Sequence, residues 1–92
     1  MAGNPFSLEG RVALVTGANT GLGQGIAVAL AEAGADIAAA GIVEAAETGE
    51  KVRALGRRFL NLEANLISIE PVGRLVEQTL AELGGLDILV NN

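Results

Sequence analysis

Val12-Ala13-Leu14-Val15-Thr16-Gly17-Ala18-Asn19-Thr20-Gly21-Leu22-Gly23-Gln24-Gly25-Ile26 runs from a β-branched, apolar segment through a glycine-spaced loop into an alanine-rich helical pattern, with no linker. Glycine tolerates the positive φ such a bend needs and lets a ligand approach the backbone. The first N–H groups of the following helix have no intrahelical acceptor, and the helix dipole adds partial positive charge there. Strand, loop and helix in this order make an anion cradle, and a dinucleotide pyrophosphate is the ligand it implies. The same glycines would also fit a plain strand-to-helix turn with close packing. Their spacing, G-x-x-x-G-x-G, differs from the G-x-G-x-x-G fingerprint, and the absence of a following Gly-Lys-Ser/Thr argues against a P-loop.

The pattern continues outward from this stretch. Arg11 to Thr16 reads as a strand buried on both faces. Ile26, Ala27, Leu30, Ala31 and Ala33 recur at helical spacing, and Gly34 stands as the C′ residue, so the first βα unit closes near Ala35. Ile37 to Ile42 forms a second strand, although Ala38-Ala39-Ala40 has weak strand propensity. Glu44 to Leu55 is the next helix, with Glu47 and Lys51 spaced as an i,i+4 pair, Gly49 weakening the interior and Gly56 as the stop. Arg58 to Ala64 alternates like a sheet edge, and Arg57-Arg58 would deter strand addition there. A third helix begins at Ser68 as N-cap, with Glu70 and Pro71 in its first turn, and runs to Gly84-Gly85. Asp87 to Val90 is a fourth strand. Strands and helices alternating in this way predict right-handed crossovers and an α/β, Rossmann-type three-layer parallel sheet. The order 3-2-1-4 would place the glycine loop at the switch point where the winding reverses.

Composition narrows the function. The chain has 92 residues, enough for one thin-cored domain, with a formal charge of −5 and no basic cluster larger than Arg57-Arg58, which argues against nucleic acid or an anionic membrane as partner. No Cys and no His occur, so disulfides, thiolate chemistry and ordinary zinc sites drop out, and no metal site is expected. The N-terminal residues lack the pattern of a secretory signal, and Ile26 to Val43 is too interrupted for a membrane span, so a cytoplasmic location is the expectation.

Thr16-Gly17-Ala18-Asn19-Thr20-Gly21-Leu22-Gly23, with Leu86-Asp87-Ile88-Leu89-Val90-Asn91-Asn92 much later, resembles the N-terminal half of a short-chain dehydrogenase/reductase. In that family the motifs are T-G-x-x-x-G-x-G and N-N-A-G. The resemblance implies that residues 1–92 are a dinucleotide-binding Rossmann half-domain cut within the second motif, and that Ile88, Leu89 and Val90 lack a following element. Asn4-Pro5-Phe6-Ser7-Leu8-Glu9-Gly10-Arg11-Val12 and Leu55-Gly56-Arg57-Arg58-Phe59-Leu60 are most similar to the group acting on 2-deoxy or 2-keto-3-deoxy gluconates.

By the same resemblance, Gly17, Gly21 and Gly23 shape the pyrophosphate turn, Asn19 and Thr20 lie beside the adenosine ribose and phosphate, and Leu22 presents its backbone N–H. Asn65-Leu66 takes the place of a family acid that accepts from the adenine amine. Asn65 reads equally as a turn residue. Asn91 sits over the adenosine side of the cofactor and helps tie neighbouring strands together. At the end of the second strand Gly41 replaces the family's discriminating acid, with Ile42 beside it. Glu44 is the nearest acid and reads either as a ribose ligand or as a first-turn charge facing the helix dipole. No Lys or Arg occurs between Arg11 and Lys51, so NAD is expected over NADP. Asp36 reads as a solvated charge and Asp87 as structural.

The family transfers a hydride between a nicotinamide and an alcohol or ketone using a Ser, a Tyr and a Lys. This chain has no Tyr, its single Lys51 lies on a surface helix, and Ser7 and Ser68 are remote from the loop, so no catalytic residue is assigned. The expectation is the cofactor half of an oxidoreductase whose parent takes a small-molecule substrate and forms a homo-oligomer. The alternative is a stand-alone dinucleotide-binding or assembly module.

Overall fold

The computed structural model describes residues 6–65 and 71–92. Among the described residues seven elements alternate: β1 (Val12–Thr16), α1 (Gly21–Glu32), β2 (Asp36–Gly41), α2 (Ala46–Ala54), β3 (Phe59–Glu63), α3 (Pro71–Leu83) and β4 (Ile88–Val90). The four strands form one sheet in the order β3-β2-β1-β4, and every pairing is parallel. This is the Rossmann-type order expected from the sequence.

The period of two along the strands divides the core into two layers. Ala13, Val15, Ile37 and Ala39 pack with Ala27 and Ala31 of α1 and Val52 of α2. Val12, Leu14, Ala38, Ala40 and Leu62 pack with Leu75 and Leu83 of α3. All five residues of β1 are buried, as a central strand with helices on both faces requires. The alanine run of β2, weak by propensity, is a strand because helices cover both of its faces, and small side chains let them come close. At the sheet's other edge, Leu89 of β4 is 60% exposed.

Several polar expectations are corrected. Asp36 is no solvated charge: its carboxylate is 19% exposed and accepts from the backbone N–H of Arg58 at 2.8 Å and from Arg58 Nε at 3.0 Å. Arg58 Nη2 also donates to the Leu83 carbonyl at 2.9 Å, and Arg57 Nη1 to that of Gly34 at 3.2 Å. The two arginines thus fasten β3 to its neighbours as well as flanking the edge. Glu47 forms no ion pair with Lys51 among the described residues; its carboxylate accepts from Gln24 Nε2 at 3.1 Å. Glu44 lies outside α2, and Glu47 is the acid of its first turn. Gly49 has a packing reason the helical pattern hid, because a Cβ there would stand 2.8 Å and 2.9 Å from two ring carbons of Phe59. Asp87 is structural as expected: it accepts from the Val12 N–H at 2.9 Å and pairs with Arg11 at 3.5 Å. The expected N-cap Ser68 and first-turn Glu70 lie outside the described residues.

Candidate functional site

The site is built at the carboxyl edge of the sheet, where β1 parts from β2 on one side and β4 on the other. Gly17 extends the β1–β2 ladder by one bond, donating its N–H to the Ala40 carbonyl at 3.0 Å, and then turns with φ +62°. Gly21 turns again with φ +59° and opens α1, and among the described residues nothing beyond its own stretch of backbone stands within 4 Å of where its Cβ would be. Between the two, the backbone swings away from the sheet and returns as a helix N-terminus. Gly23 is buried for a different reason. A Cβ there would overlap the Gly17 carbonyl oxygen and sit 2.7 Å from Asn92 Nδ2, so the helix approaches the loop only because that position is bare.

Thr20 occupies the N-cap in extended conformation, yet its side chain caps none of the first helical N–H groups. These donors therefore face outward without a side-chain oxygen of their own cap. Asn19 and Gly17 share a cavity of about 380 Å³ with Gly41, Ile42, Val43, Ala64 and Asn65. It adjoins a second cavity, of about 460 Å³, through the shared Ile42, Ala64 and Asn65. The Asn61 side chain sets that wall by accepting the Ala45 N–H at 3.0 Å, while Ala64 N–H donates to the Gly41 carbonyl at 3.0 Å.

The structure thus brings Gly17, Asn19, Ile42 and Asn65 together in one groove and stations Thr20, Gly21, Leu22 and Gly23 at its helical end. The Leu22 side chain is 73% exposed. Asn91 stands at the β4 end, its Oδ1 accepting from Thr16 Oγ1 at 3.2 Å. Leu66 lies outside the described residues. Glu44 is exposed and absent from both linings.

Asn91 was expected to help tie neighbouring strands, and its bond to Thr16 of β1 does so; the sequence did not single out the other residues that hold the loop in place. Thr16 accepts the Asn92 N–H at 2.9 Å, with its own proton toward Asn91 Oδ1 and the Val90 carbonyl, and Asn92 Nδ2 donates to the Gly17 carbonyl at 3.3 Å. On the far side, Thr48 is fully buried and donates to the Ala18 carbonyl. Gln24 Nε2 donates to Thr48 Oγ1 at 3.0 Å and reaches the Asn19 carbonyl at 3.4 Å. No local spacing advertises these bonds, since the partners of Thr48 lie 24 and 30 residues away.

The arrangement suits an extended ligand with a central anion: open backbone donors at a helix end, flanked by a partly apolar groove. Among the described residues, no group of three or more His, Cys, Asp or Glu could hold a metal ion, and no helix is long and apolar enough to cross a membrane.

Comparison with known proteins bears on this site. The family model described as short chain dehydrogenase matches residues 11–92. The chain is 60% identical over 89 residues to the 2-dehydro-3-deoxy-D-gluconate 5-dehydrogenase of Dickeya dadantii (strain 3937), covering 97% of this chain and 35% of that enzyme. It is 59% identical over 87 residues to the enzyme of the same name from Escherichia coli (strain K12), covering 95% and 34%. Among solved structures, carveol dehydrogenase of Mycobacterium avium in complex with NAD superposes with a TM-score of 0.85 at 34% identity, over 92% of this chain and 36% of that one. The chain spans about a third of the length of the curated relatives it matches.

Proposed function

Because the chain belongs to the short-chain dehydrogenase family, we propose that its groove holds NAD and that it forms the cofactor-binding portion of an oxidoreductase interconverting an alcohol and a ketone. The observation that carries this reading is the uncapped N-terminus of α1, set behind Gly17 and Gly21 and opening onto a groove at the switch point of the sheet. Gly17, Thr20, Gly21, Leu22 and Gly23 would hold the diphosphate through backbone N–H groups, with Asn19 beside the adenosine ribose. Ile42, Asn65 and Leu66 would take the adenine, and Asn91 its inner side. The bound nicotinamide supplies the hydride acceptor or donor. These residues bind and orient it, and the absence of Tyr leaves proton transfer to groups outside these 92 residues.

The names of the most similar relatives support a sugar acid, 2-dehydro-3-deoxy-D-gluconate, as the substrate of the whole protein. The family resemblance supports a cytoplasmic homo-oligomer. NAD is favoured over NADP because neither Gly41 nor Ile42, nor any residue between Arg11 and Lys51, offers a cation for a 2′-phosphate.

Titration calorimetry of the chain with NAD and NADP tests the reading. Saturable NAD binding, tighter than NADP, is the expected result. Binding of neither dinucleotide would refute the site, and tighter NADP would refute the preference.

A further inference from the structure

The groove does not end at the residues the family motif accounts for. Its outer cavity is lined by Ile42, by Glu63, Ala64 and Asn65, and by Arg74 of α3. Arg74 is 33 residues from the second strand in sequence, and only the β3–α3 crossover brings it there. Its guanidinium is pinned: Nη2 donates to the Glu63 carbonyl at 3.0 Å and Nη1 to Gln78 Oε1 at 2.8 Å. Guanidinium N–H bonds lie in the plane of the group, so both acceptors fix that plane while leaving its faces available for stacking.

We propose that Arg74 is a binding residue for the purine of the dinucleotide, stacking its guanidinium face on the adenine that rests against Ile42. The proposal rests on the dinucleotide reading of the groove. Two alternatives were open to a cation at this place, a 2′-phosphate or a neutral aromatic ring, and the surroundings choose between them. Glu63 lines the same cavity and engages Arg74 through its backbone carbonyl. Two of the guanidinium's donors are already engaged by uncharged acceptors, which lowers what it can offer a phosphate but not what its face offers a ring. Ile42, 63% exposed, supplies the apolar surface that the opposite face of a purine would cover. Arg74 therefore strengthens the adenosine end without creating a preference for NADP.

The test is calorimetric titration of the wild-type chain, R74A and R74K with NAD, NADP and nicotinamide mononucleotide, which lacks the purine. Arg74 is exposed, so neither substitution removes a core side chain. The expected result for R74A is about three- to tenfold weaker binding of both NAD and NADP. Binding of nicotinamide mononucleotide should be unchanged. R74K keeps the charge but not the plane and should fail to restore NAD binding. Unchanged NAD affinity in R74A would overturn the proposal, as would selective loss of NADP or full rescue by R74K, both of which mark a purely ionic contact. A wild-type chain that binds neither dinucleotide would instead overturn the underlying reading of the groove, and this proposal with it.

Discussion

Replacing Thr48 by Val isolates one bond on which the loop depends. The two side chains are nearly the same shape, so the substitution opens no cavity and removes only the hydroxyl. That hydroxyl is fully buried and donates to the carbonyl of Ala18, itself 2% exposed. Without it the carbonyl is buried with no side-chain donor, a loss of about 1–3 kcal/mol. Gln24 Nε2 is not stranded in the same way, because Glu47 and the Asn19 carbonyl remain within reach. In a domain of this size each kcal/mol moves the thermal midpoint by about 4–8 °C, so T48V should unfold about 4–24 °C below wild type. Far-UV circular dichroism on heating gives that shift. Dinucleotide titration of the folded variant adds the second half: Ala18 and Asn19 are no longer fixed, and affinity should fall. T48S is the control. It loses a methyl group and some packing, about 0.5–1.5 kcal/mol, but keeps the hydroxyl and hence wild-type dinucleotide affinity. A T48V midpoint within about 4 °C of wild type would refute the reasoning, since it would mean that the Ala18 carbonyl finds another donor at no cost.

Other substitutions probe the remaining supports. Gly23→Ala places a methyl group against the Gly17 carbonyl and Asn92; calorimetry should show NAD binding lost or at least tenfold weaker, by about 1.4 kcal/mol or more, and retained affinity would show that α1 need not sit so close to the loop. Gly49→Ala forces the Phe59 ring away from α2; although Ala is the better helix former, overpacking of about 1–3 kcal/mol should lower the urea midpoint, and a raised midpoint would contradict this packing. Asp36→Ala removes the acceptor for both the backbone and the side chain of Arg58; hydrogen exchange should quicken at the Arg58 amide while the glycine loop keeps its protection, and equal quickening at both would argue against a local clamp.

What the sequence made legible follows from the range over which each signal acts. The continuous apolar run of Val12–Thr16 and the helical spacing of Ala27 and Ala31 are local, and both layers of the core use them as read. Element boundaries moved by a few residues where a tertiary bond decides the matter. Asp36 joins β2 because its N–H donates to the Arg11 carbonyl, and α2 starts after Ala45, whose N–H is taken by Asn61 Oδ1. The packing role of Gly49 was not legible because helix propensity counts only what a residue does to its own helix, whereas the ring of Phe59 needs the missing side chain. The motif residues were legible as a loop and a helix start because that pattern is itself local. Thr48, Gln24, Asn92 and Arg74 were not, since each acts through a partner supplied by another element.

These long-range partners share a location, and the fold explains why. At the switch point the chain leaves β1 with a neighbouring strand on each side, so the peptide groups beyond Thr16 lose the ladder that satisfied those before it. Gly17 retains one bond to β2, and the next carbonyls, of Gly17 and Ala18, must find donors elsewhere. Asn92, arriving at the end of β4, serves the first, and Thr48, from the first turns of α2, serves the second. A buried backbone acceptor left unsatisfied is costly, so the Ala18 carbonyl is held by Thr48, and the more exposed Gly17 carbonyl also gains a donor. The loop's N–H groups at the helix start are left to the solvent side, where Thr20 does not cap them. Acceptors tied inward and donors left outward give the loop one electrostatic sense before any ligand arrives, which is the preorganisation that a diphosphate rewards.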